Sequence, residues 1–191
     1  MIDTTPLPDY SGTPILFECL QCGRCCREIL KHAMGALKGP YLSPEEAELF
    51  PPETVSPSIG RGYDIDSISV TRYQINQDQC PHLVEDNQCQ IYAKRPLVCR
   101  RFPLMWSSGA ITNLAHGDDC KFISRKESEL GYHLYFYFRK HQFVCPGCWM
   151  AHDKEMRLIK LHGFDAAMLG MNLYSFDLWH RKWNLIDDTL E

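Results

Sequence analysis

Residues 19–26, CLQCGRCC, carry four cysteines within eight positions. Thiols this close together serve in disulfides, as reactive thiols or as metal ligands. The first three cysteines are spaced by two intervening residues, which lets a tight loop present several thiolates to one centre. Gly23 suits such a loop because it has no Cβ atom and tolerates a positive φ angle.

Cys25 and Cys26 are adjacent in the chain. Their Cα atoms are about 3.8 Å apart, and neighbouring side chains point to opposite faces of a strand or about 100° apart on a helix. A single tetrahedral ion therefore seldom binds both. We expect Cys25 and Cys26 to face different directions, so that the loop supplies two neighbouring centres or one large one.

A second group of cysteines lies in residues 80–103, CPHLVEDNQCQIYAKRPLVCRRFP. Cys80, Cys89 and Cys99 are separated by eight and nine residues. EDNQ predicts a polar turn between the first two, and KRP predicts a bend before the third. Cys120 lies just ahead of a predicted helix, whose N-terminal amides favour a thiolate. Together with the opening loop these cysteines make eight, or two sets of four.

Eight thiolates in a small volume repel one another unless a cation or a cluster takes up their charge. Basic residues flank both groups of cysteines, and we expect them to compensate the thiolates from an outer shell; the alternative for each is an ordinary solvated face. These residues are Arg24, Arg27, Lys94, Arg95, Arg100 and Arg101.

The composition is that of an ordinary globular protein, with 45% apolar or aromatic and 23% charged residues. A net charge of -4 argues against nucleic acid. No apolar stretch approaches the roughly 20 residues of a spanning helix, and the N terminus lacks the pattern of a secretory signal. We expect a cytoplasmic protein that binds neither nucleic acid nor membranes. Disulfides are then the weaker explanation for its ten cysteines.

Local patterns predict an α+β fold. Ser43 and Glu46 form a capping box at the start of a short helix in SPEEAELF. Alternation predicts a strand over residues 68–75, and residues 102–115 predict a hairpin that turns at Gly109.

Helical patterns follow in the second half of the chain. Ser124 and Glu127 form another capping box, which predicts a helix of about four turns. Two more helices are expected over 151–162 and 165–183, separated by Gly163. The Pro-rich segment PPETVSPSIGRG, residues 51–62, predicts a loop.

The expected architecture is a small cysteine-cluster core with few short strands and several packed helices. We expect an N-terminal arm over 1–16, a cysteine-cluster metal-binding domain over 17–138 and a C-terminal extension over 139–191. The extension is expected to be helical and to pack on the same core.

The chain resembles the YkgJ-like or CxxCxxCC family, which is described as a zinc- or iron-chelating domain. The resemblance rests on CLQCGRCC, CPHL, CQIYAKRPLVCRRFP and the later cysteine followed by a helix, over roughly residues 17–138. It implies that eight cysteines are metal ligands: Cys19, Cys22, Cys25, Cys26, Cys80, Cys89, Cys99 and Cys120.

Some candidate residues lie outside that pattern. The role of Cys145 and Cys148, in CPGC, stays open between ligation, a structural pair and a CxxC redox pair. His82 and His116 lie near the motif cysteines, although a lone histidine is more often a hydrogen-bonded surface or core residue. An unknown protein partner could dock at the end of the chain that carries Trp179 and Trp183.

Thiolate ligation suits both zinc and iron–sulfur clusters. Zinc sites usually come from two short knuckles, whereas three cysteines at a spacing of two, joined by remote single cysteines, are more familiar from clusters. We therefore favour an iron–sulfur cluster, 4Fe-4S above all, over zinc.

The favoured function is an accessory or electron-transfer protein that carries the cluster. A zinc-stabilised protein-interaction module is one alternative. A second is a cluster-dependent methyltransferase, because flagellin lysine N-methylases have a similar cysteine set and are linked to an iron–sulfur cluster. No nucleotide-binding loop or catalytic motif is found, so the sequence does not decide whether the protein is an enzyme.

Overall fold

The computed structural model of the protein describes residues 15–33, 36–106, 112–115, 118–130, 143–144 and 146–186. Both helices and strands are present, which confirms the predicted α+β class. The strands are β1 Ile15–Leu16, β2 Lys31–Ala33, β3 Ala36–Lys38, β4 Tyr41–Leu42, β5 Val55–Gly62, β6 Ser69–Ile75, β7 Leu104–Trp106, β8 Thr112–Leu114, β9 Phe143–Val144, β10 Asn172–Asp177 and β11 Lys182–Leu185. The α-helices are α1 Pro44–Ala47, α2 Leu97–Arg101, α3 Lys121–Leu130 and α4 Pro146–Met168.

The largest sheet has five strands in the order β11-β10-β5-β6-β4, and every neighbouring pair in it is antiparallel. Among the described residues, three smaller sheets have two strands each. In these, β2 pairs with β3 and β7 pairs with β8 in antiparallel fashion, and β1 pairs with β9 in parallel. Strands from both halves of the chain therefore meet in the main sheet.

Several local predictions are confirmed. The capping box of α1 is present, because Ser43 accepts a hydrogen bond from the Glu46 amide and the Glu46 side chain accepts one from the Ser43 amide. The predicted strand over 68–75 is β6. Strands β7 and β8 form the predicted hairpin pair, although the turn at Gly109 lies outside the described residues.

The helix expected at Ser124 begins earlier, at Lys121. The Ser124 amide donates to the Cys120 carbonyl, so Ser124 lies inside the helix and not at its N-cap. The prediction that Ser124 and Glu127 form a capping box is therefore wrong. The end predicted for this helix, beyond residue 130, lies outside the described residues.

The prediction of a loop over residues 51–62 is wrong for most of that segment, because residues 55–62 form β5. β5 pairs with β6 on one side and with β10 on the other. The strand contains a proline, and its pairing with β6 is irregular, with register shifts between Pro57 and Ile59 and between Ile59 and Gly60. Pairing with two distant strands thus outweighs the local turn composition.

The C-terminal extension is helical only in part. A single helix, α4, continues through Gly163 and ends near Gly170, whose φ of 62° is the left-handed conformation that terminates helices. The helix expected over 165–183 is wrong beyond Met168, where β10 and β11 follow instead. Phe176 and Trp183 pack edge to face across these two strands, with ring centroids 5.2 Å apart.

Two apolar clusters form the core of the described residues. One contains Leu42, Phe50, Ile75, Cys80 and Leu83, with Cys26 packed against it. The other contains seven buried residues from β7, β8, α3, α4 and their flanks: Leu104, Leu114, Ala115, Cys120, Phe122, Ile123 and Cys148. Candidate cysteines therefore belong to both clusters.

None of the helices in the described part of the chain is long and apolar enough to cross a membrane.

The turn after β10 is organised by one buried carboxylate. Asp177 accepts hydrogen bonds from the Leu37 amide at 3.1 Å, the Trp179 amide at 2.9 Å and Nδ1 of His180 at 2.6 Å. The hydrogen bond from His180 is the largest cause that lowers the pKa of Asp177, from 3.8 to about 2. These bonds join the end of β10 to β3 and to the turn that leads into β11.

Because the pKa of Asp177 is lower in the folded state, its ionised form stabilises the fold above the unfolded pKa. That contribution is lost as the pH falls through the folded value of about 2. We expect the melting temperature to fall between about pH 4 and pH 2, and Asp177→Asn to lose much of this dependence. Thermal melts of both proteins over that range measure the effect, and parallel curves would contradict it.

Candidate metal centre

The opening cysteine loop has a tightly turned backbone. Gly23 has a φ of 71°, the left-handed conformation, and caps a short 3₁₀ turn, Arg24–Cys26. The Cys26 amide donates to the Gly23 carbonyl at 3.1 Å. Gln21 and Glu28, which flank the turn, also have positive φ angles, of 46° and 51°. Such strained residues persist where surrounding contacts impose them, and they concentrate at functional sites.

The loop packs against the polar turn between Cys80 and Cys89. A Cβ atom built on Gly23 would lie 2.9 Å from Cβ of Asn87 and 3.1 Å from Cδ1 of Leu83. Residues 86 and 87 of that turn also have positive φ angles. Position 23 therefore requires glycine for two reasons, which are its left-handed backbone conformation and the close approach of the two segments.

Three sulfurs meet where the loop contacts Cys80. The Cys80 amide donates to the Cys26 carbonyl at 2.8 Å, and the Cys26 thiol hydrogen-bonds both the Cys25 and the Cys80 sulfur. The two bonds raise the pKa of Cys26. The bond from Cys26 is also the largest cause of the lowered pKa of Cys25, and of the lowered pKa of Cys80, which is about 6. Cys25 is exposed and Cys80 is buried.

Cys89 and Cys99 come to the same region on two short elements. Cys89 follows the polar turn and forms an isolated β-bridge with Leu83. Cys99 lies in α2. Burial is the largest cause that raises the pKa of each thiol, and the charges of Cys25 and Cys80 raise both further. These mutual effects require the four sulfurs to lie within electrostatic reach of one another.

Cys120 belongs to the second apolar cluster and lies within electrostatic reach of Cys22 and Cys25. Burial raises the pKa of Cys120 to about 11, and the charges of Cys22 and Cys25 raise it as well. Two backbone amides at the start of α3, those of Phe122 and Ile123, act in the opposite direction. This agrees with the predicted role of helix N-terminal amides.

Cys19 is the cysteine that differs most in its surroundings. Its sulfur interacts with the side chain of Tyr92, and after burial this interaction is the largest cause that raises the pKa of Tyr92. Tyr92 lies in the 3₁₀ turn Tyr92–Lys94 that follows Cys89, and its amide donates to the Cys89 carbonyl at 3.2 Å. Cys19 therefore lies beside Tyr92, the residue whose backbone is bonded to Cys89.

Seven of the eight family cysteines therefore lie within electrostatic reach of at least one other, Cys19 interacts with Tyr92, and all eight are free thiols. Within the described residues, however, no three Cys, His, Asp or Glu side chains are arranged as a ready metal site. The assignment of the eight cysteines as ligands therefore stays a prediction. Their donor chemistry fits a metal, because soft thiolates bind zinc and iron–sulfur clusters, and a bound cation would offset the negative charge of several thiolates held near one another.

The remaining candidates are placed differently. Nε2 of His82 is 2.7 Å from the Leu49 carbonyl and its ring packs on Phe50, so this histidine has a structural role. Cys148 is buried and disulfide-bonded, with its sulfur 3.4 Å from the Phe102 carbonyl, and supplies no thiolate in this state. Cys145 and His116 lie outside the described residues.

The basic residues near the cysteines have separate roles. Nε of Arg101 forms a buried ion pair with Glu155 of α4 at 2.6 Å, so its charge is already compensated. The Arg27 guanidinium donates to the Gly23 carbonyl at 3.3 Å. The charge of Arg95 contributes to the lowered pKa of Cys25 and opposes the rise in the pKa values of Cys89 and Cys99.

Glu46 is a positioning residue that sequence reasoning found only in part. Besides closing the capping box of α1, its Oε1 accepts a hydrogen bond from the Leu97 amide at 2.8 Å. Leu97 is the first residue of α2, the helix that carries Cys99. One carboxylate therefore caps two helices. The capping box was visible in the sequence, whereas the bond to a residue 51 positions away was not.

We expect Glu46→Ala to lower the free energy of unfolding by roughly 2 kcal/mol, because hydrogen bonds from two helix N termini to a charged group are lost. Urea denaturation measures the loss. Glu48→Ala is the control, since Glu48 is exposed and belongs to the same segment. Equal stability of the two variants would contradict the double capping role.

Comparison with known proteins supplies one match. A model of the CxxCxxCC family, described as "Putative zinc- or iron-chelating domain", matches residues 18–129. No curated protein and no solved structure matches the chain. The matched region contains the eight free cysteines of the described residues and covers more than half of the chain. On that match the chain belongs to the CxxCxxCC family of zinc- or iron-chelating domains.

Proposed function

We propose that this protein holds an iron–sulfur cluster on its family cysteines, with a 4Fe-4S cluster favoured, and that it serves electron transfer or a partner enzyme. The observation that carries the proposal is the interaction of Cys26 with both Cys25 and Cys80, with three more thiols in electrostatic reach. Six or more sulfurs in one region exceed what one tetrahedral zinc ion needs.

The arrangement of the segments supports a cluster in a second way. Zinc sites are usually assembled from two knuckles, each giving a pair of ligands. Here the opening loop contributes several thiols, and Cys80, Cys89, Cys99 and Cys120 each come from a separate position along the fold. Clusters accept such scattered ligands.

The position of the site favours a function that involves a partner. Cys25 is exposed, and so are Leu20, next to Cys19 in the chain, and Val84, in the segment between Cys80 and Cys89. A cluster held here would lie close to the surface, where electrons or a partner protein can reach it.

Metal analysis of protein purified without oxygen tests the proposal. We expect iron and acid-labile sulfide in comparable amounts, and a broad absorption near about 400 nm that dithionite bleaches. A colourless protein with stoichiometric zinc would support a zinc-stabilised interaction module instead. Protein that neither contains nor takes up iron or zinc would contradict metal binding altogether.

The methyltransferase alternative has its own test. A cluster-dependent enzyme similar to flagellin lysine N-methylase needs a saturable site for S-adenosylmethionine. Isothermal titration of the loaded protein with S-adenosylmethionine should then give a binding signal. The electron-transfer or accessory function predicts none.

A further inference from the structure

We propose that the protein forms a dimer through β11, in which the outer edges of the two β11 strands pair in antiparallel fashion about a two-fold axis. The partner is a second copy of this chain. The interface lies on the main sheet, and the proposal does not depend on which metal the cysteines bind. It gives a role to the segment around Trp179 and Trp183, which the metal-binding function does not use.

β11 is an edge strand of the main sheet. It comes last in the strand order, and among the described residues it pairs with β10 alone. The strand at the opposite edge, β4, has only two residues, of which Leu42 is buried. An edge strand presents a row of unpaired amide and carbonyl groups, which is a template for another strand. β11 is therefore the edge at which this sheet can be extended.

The register between β10 and β11 identifies the backbone groups that face outward. The Ile186 amide donates to the Leu173 carbonyl at 2.9 Å, and Asn184 lies opposite Ser175 in the same ladder. Hydrogen-bonded and non-hydrogen-bonded pairs alternate along antiparallel strands. Asn184 therefore bonds to β10, whereas Trp183 and Leu185 direct their amide and carbonyl groups to the open side.

These outward groups fit a second β11. When Trp183 of each copy lies opposite Leu185 of the other, the two pairs exchange four hydrogen bonds. Trp183 and Leu185 also lie on one face of the strand, because alternate residues share a face. The Trp183 ring is half-buried and packs on Phe176, while Leu185 is 58% exposed. The dimer gives each exposed leucine an aromatic cross-strand neighbour, and such pairs stabilise sheets.

The charges on either side of β11 favour a second copy as the occupant. Arg181 and Lys182, at the start of the strand, are exposed, and Asp187 and Asp188 follow its end in the sequence, beyond the described residues. Antiparallel chains run in opposite directions, so two-fold symmetry brings the basic end of each copy to the acidic end of the other. Opposite charges across a strand pair are favourable. The segment is thus complementary to itself.

Analytical ultracentrifugation of the full-length protein, prepared without oxygen, tests the proposal over a series of concentrations. We expect reversible association from a monomer of 22.1 kDa to a dimer of twice that mass. Added salt should weaken the association, because the charge pairs are exposed to solvent. A parent protein that stays monomeric at every concentration overturns the proposal. A dimer that survives on a denaturing gel without reductant is disulfide-linked, and it overturns the proposal too.

Leu185→Pro removes one outward amide but no hydrogen bond to β10, and proline is tolerated on edge strands at such positions. This variant should be monomeric at concentrations where the parent protein is a dimer. Leu185→Ala keeps the amide and should weaken the dimer less. Leu169→Ala is the matched control, since Leu169 is 52% exposed at the end of α4, and it should associate as the parent does. A Leu185→Pro protein that dimerises like the parent contradicts pairing through this edge.

Exchange of the flanking charges is a second test, which stays valid if proline disturbs the fold. Arg181→Glu and Asp187→Arg should each raise the dissociation constant about tenfold, because a favourable pair becomes repulsive at two symmetric positions. An equimolar mixture of the two variants should regain the dimer, since unlike charges then meet at both ends. A misfolded variant would give no such recovery. If the mixture associates no better than the separate variants, the antiparallel β11 pairing is wrong.

Discussion

Cys99→Ser is expected to remove most of the bound metal from this protein. Cys99 lies in α2 within electrostatic reach of Cys25, Cys80 and Cys89. Serine has nearly the same shape, but its hydroxyl stays protonated at neutral pH and is a poor ligand for soft metals. The loss should exceed the roughly 10–100-fold typical of outer-shell changes. Elemental analysis of protein purified without oxygen measures it.

The same variant should also be less stable, because metal binding contributes free energy to folding. Cys148→Ser separates the two effects. Cys148 is disulfide-bonded and buried, so we expect its replacement to lower stability by roughly 2–4 kcal/mol while the metal content stays at the parent level. If Cys99→Ser retains full metal, Cys99 is not a ligand.

Gly23→Ala is expected to be among the most disruptive changes that leave every cysteine in place. Alanine in the left-handed conformation costs about 1–2 kcal/mol. The new methyl group would also lie 2.9 Å from Cβ of Asn87 and 3.1 Å from Cδ1 of Leu83, and overpacking of this kind typically adds about 1–3 kcal/mol. The free energy of unfolding should therefore fall by roughly 2–5 kcal/mol.

Gly163→Ala is the matched control for this change. A Cβ atom at Gly163 would meet nothing within 4 Å, and Gly163 lies inside α4. Alanine there should raise stability by up to about 1 kcal/mol through helix propensity. Chemical denaturation of both variants gives the comparison. Similar effects of the two substitutions would mean that the loop does not depend on the conformation of Gly23.

Gly23→Ala should lower metal content as well, because the displaced loop carries Cys19, Cys22, Cys25 and Cys26 together. We expect metal analysis of this variant to resemble that of a ligand substitution although all eight thiols remain. Full metal content in a destabilised Gly23→Ala protein would show that the loop and the turn at Asn87 need not pack closely for binding.

Much of the local structure could be predicted from the sequence. The capping box of Ser43 and Glu46, the strand β6 and the pairing of β7 with β8 follow from short-range patterns, because caps and alternation act within a few residues. The family and its cysteine set could also be predicted, since their spacing is written directly in the chain.

Other elements were mispredicted because their partners are far away in sequence. β5 has the composition of a loop, and β10 and β11 were expected to be helical, yet β5 and β10 pair with each other across more than 100 positions. Strand pairing is a nonlocal interaction, so a local pattern carries little information about it.

The sequence by itself determined the chemistry of this protein, namely which residues are thiols, how they are spaced and that Gly23 must turn their loop. Only the tertiary structure decided which groups act on those thiols. It paired Arg101 with Glu155, stacked Arg95 on Tyr92 within electrostatic reach of three cysteines, and brought Glu46 to the start of α2. The physical reason is that a charge acts through distance in space, which depends on how the whole chain packs and not on position along it.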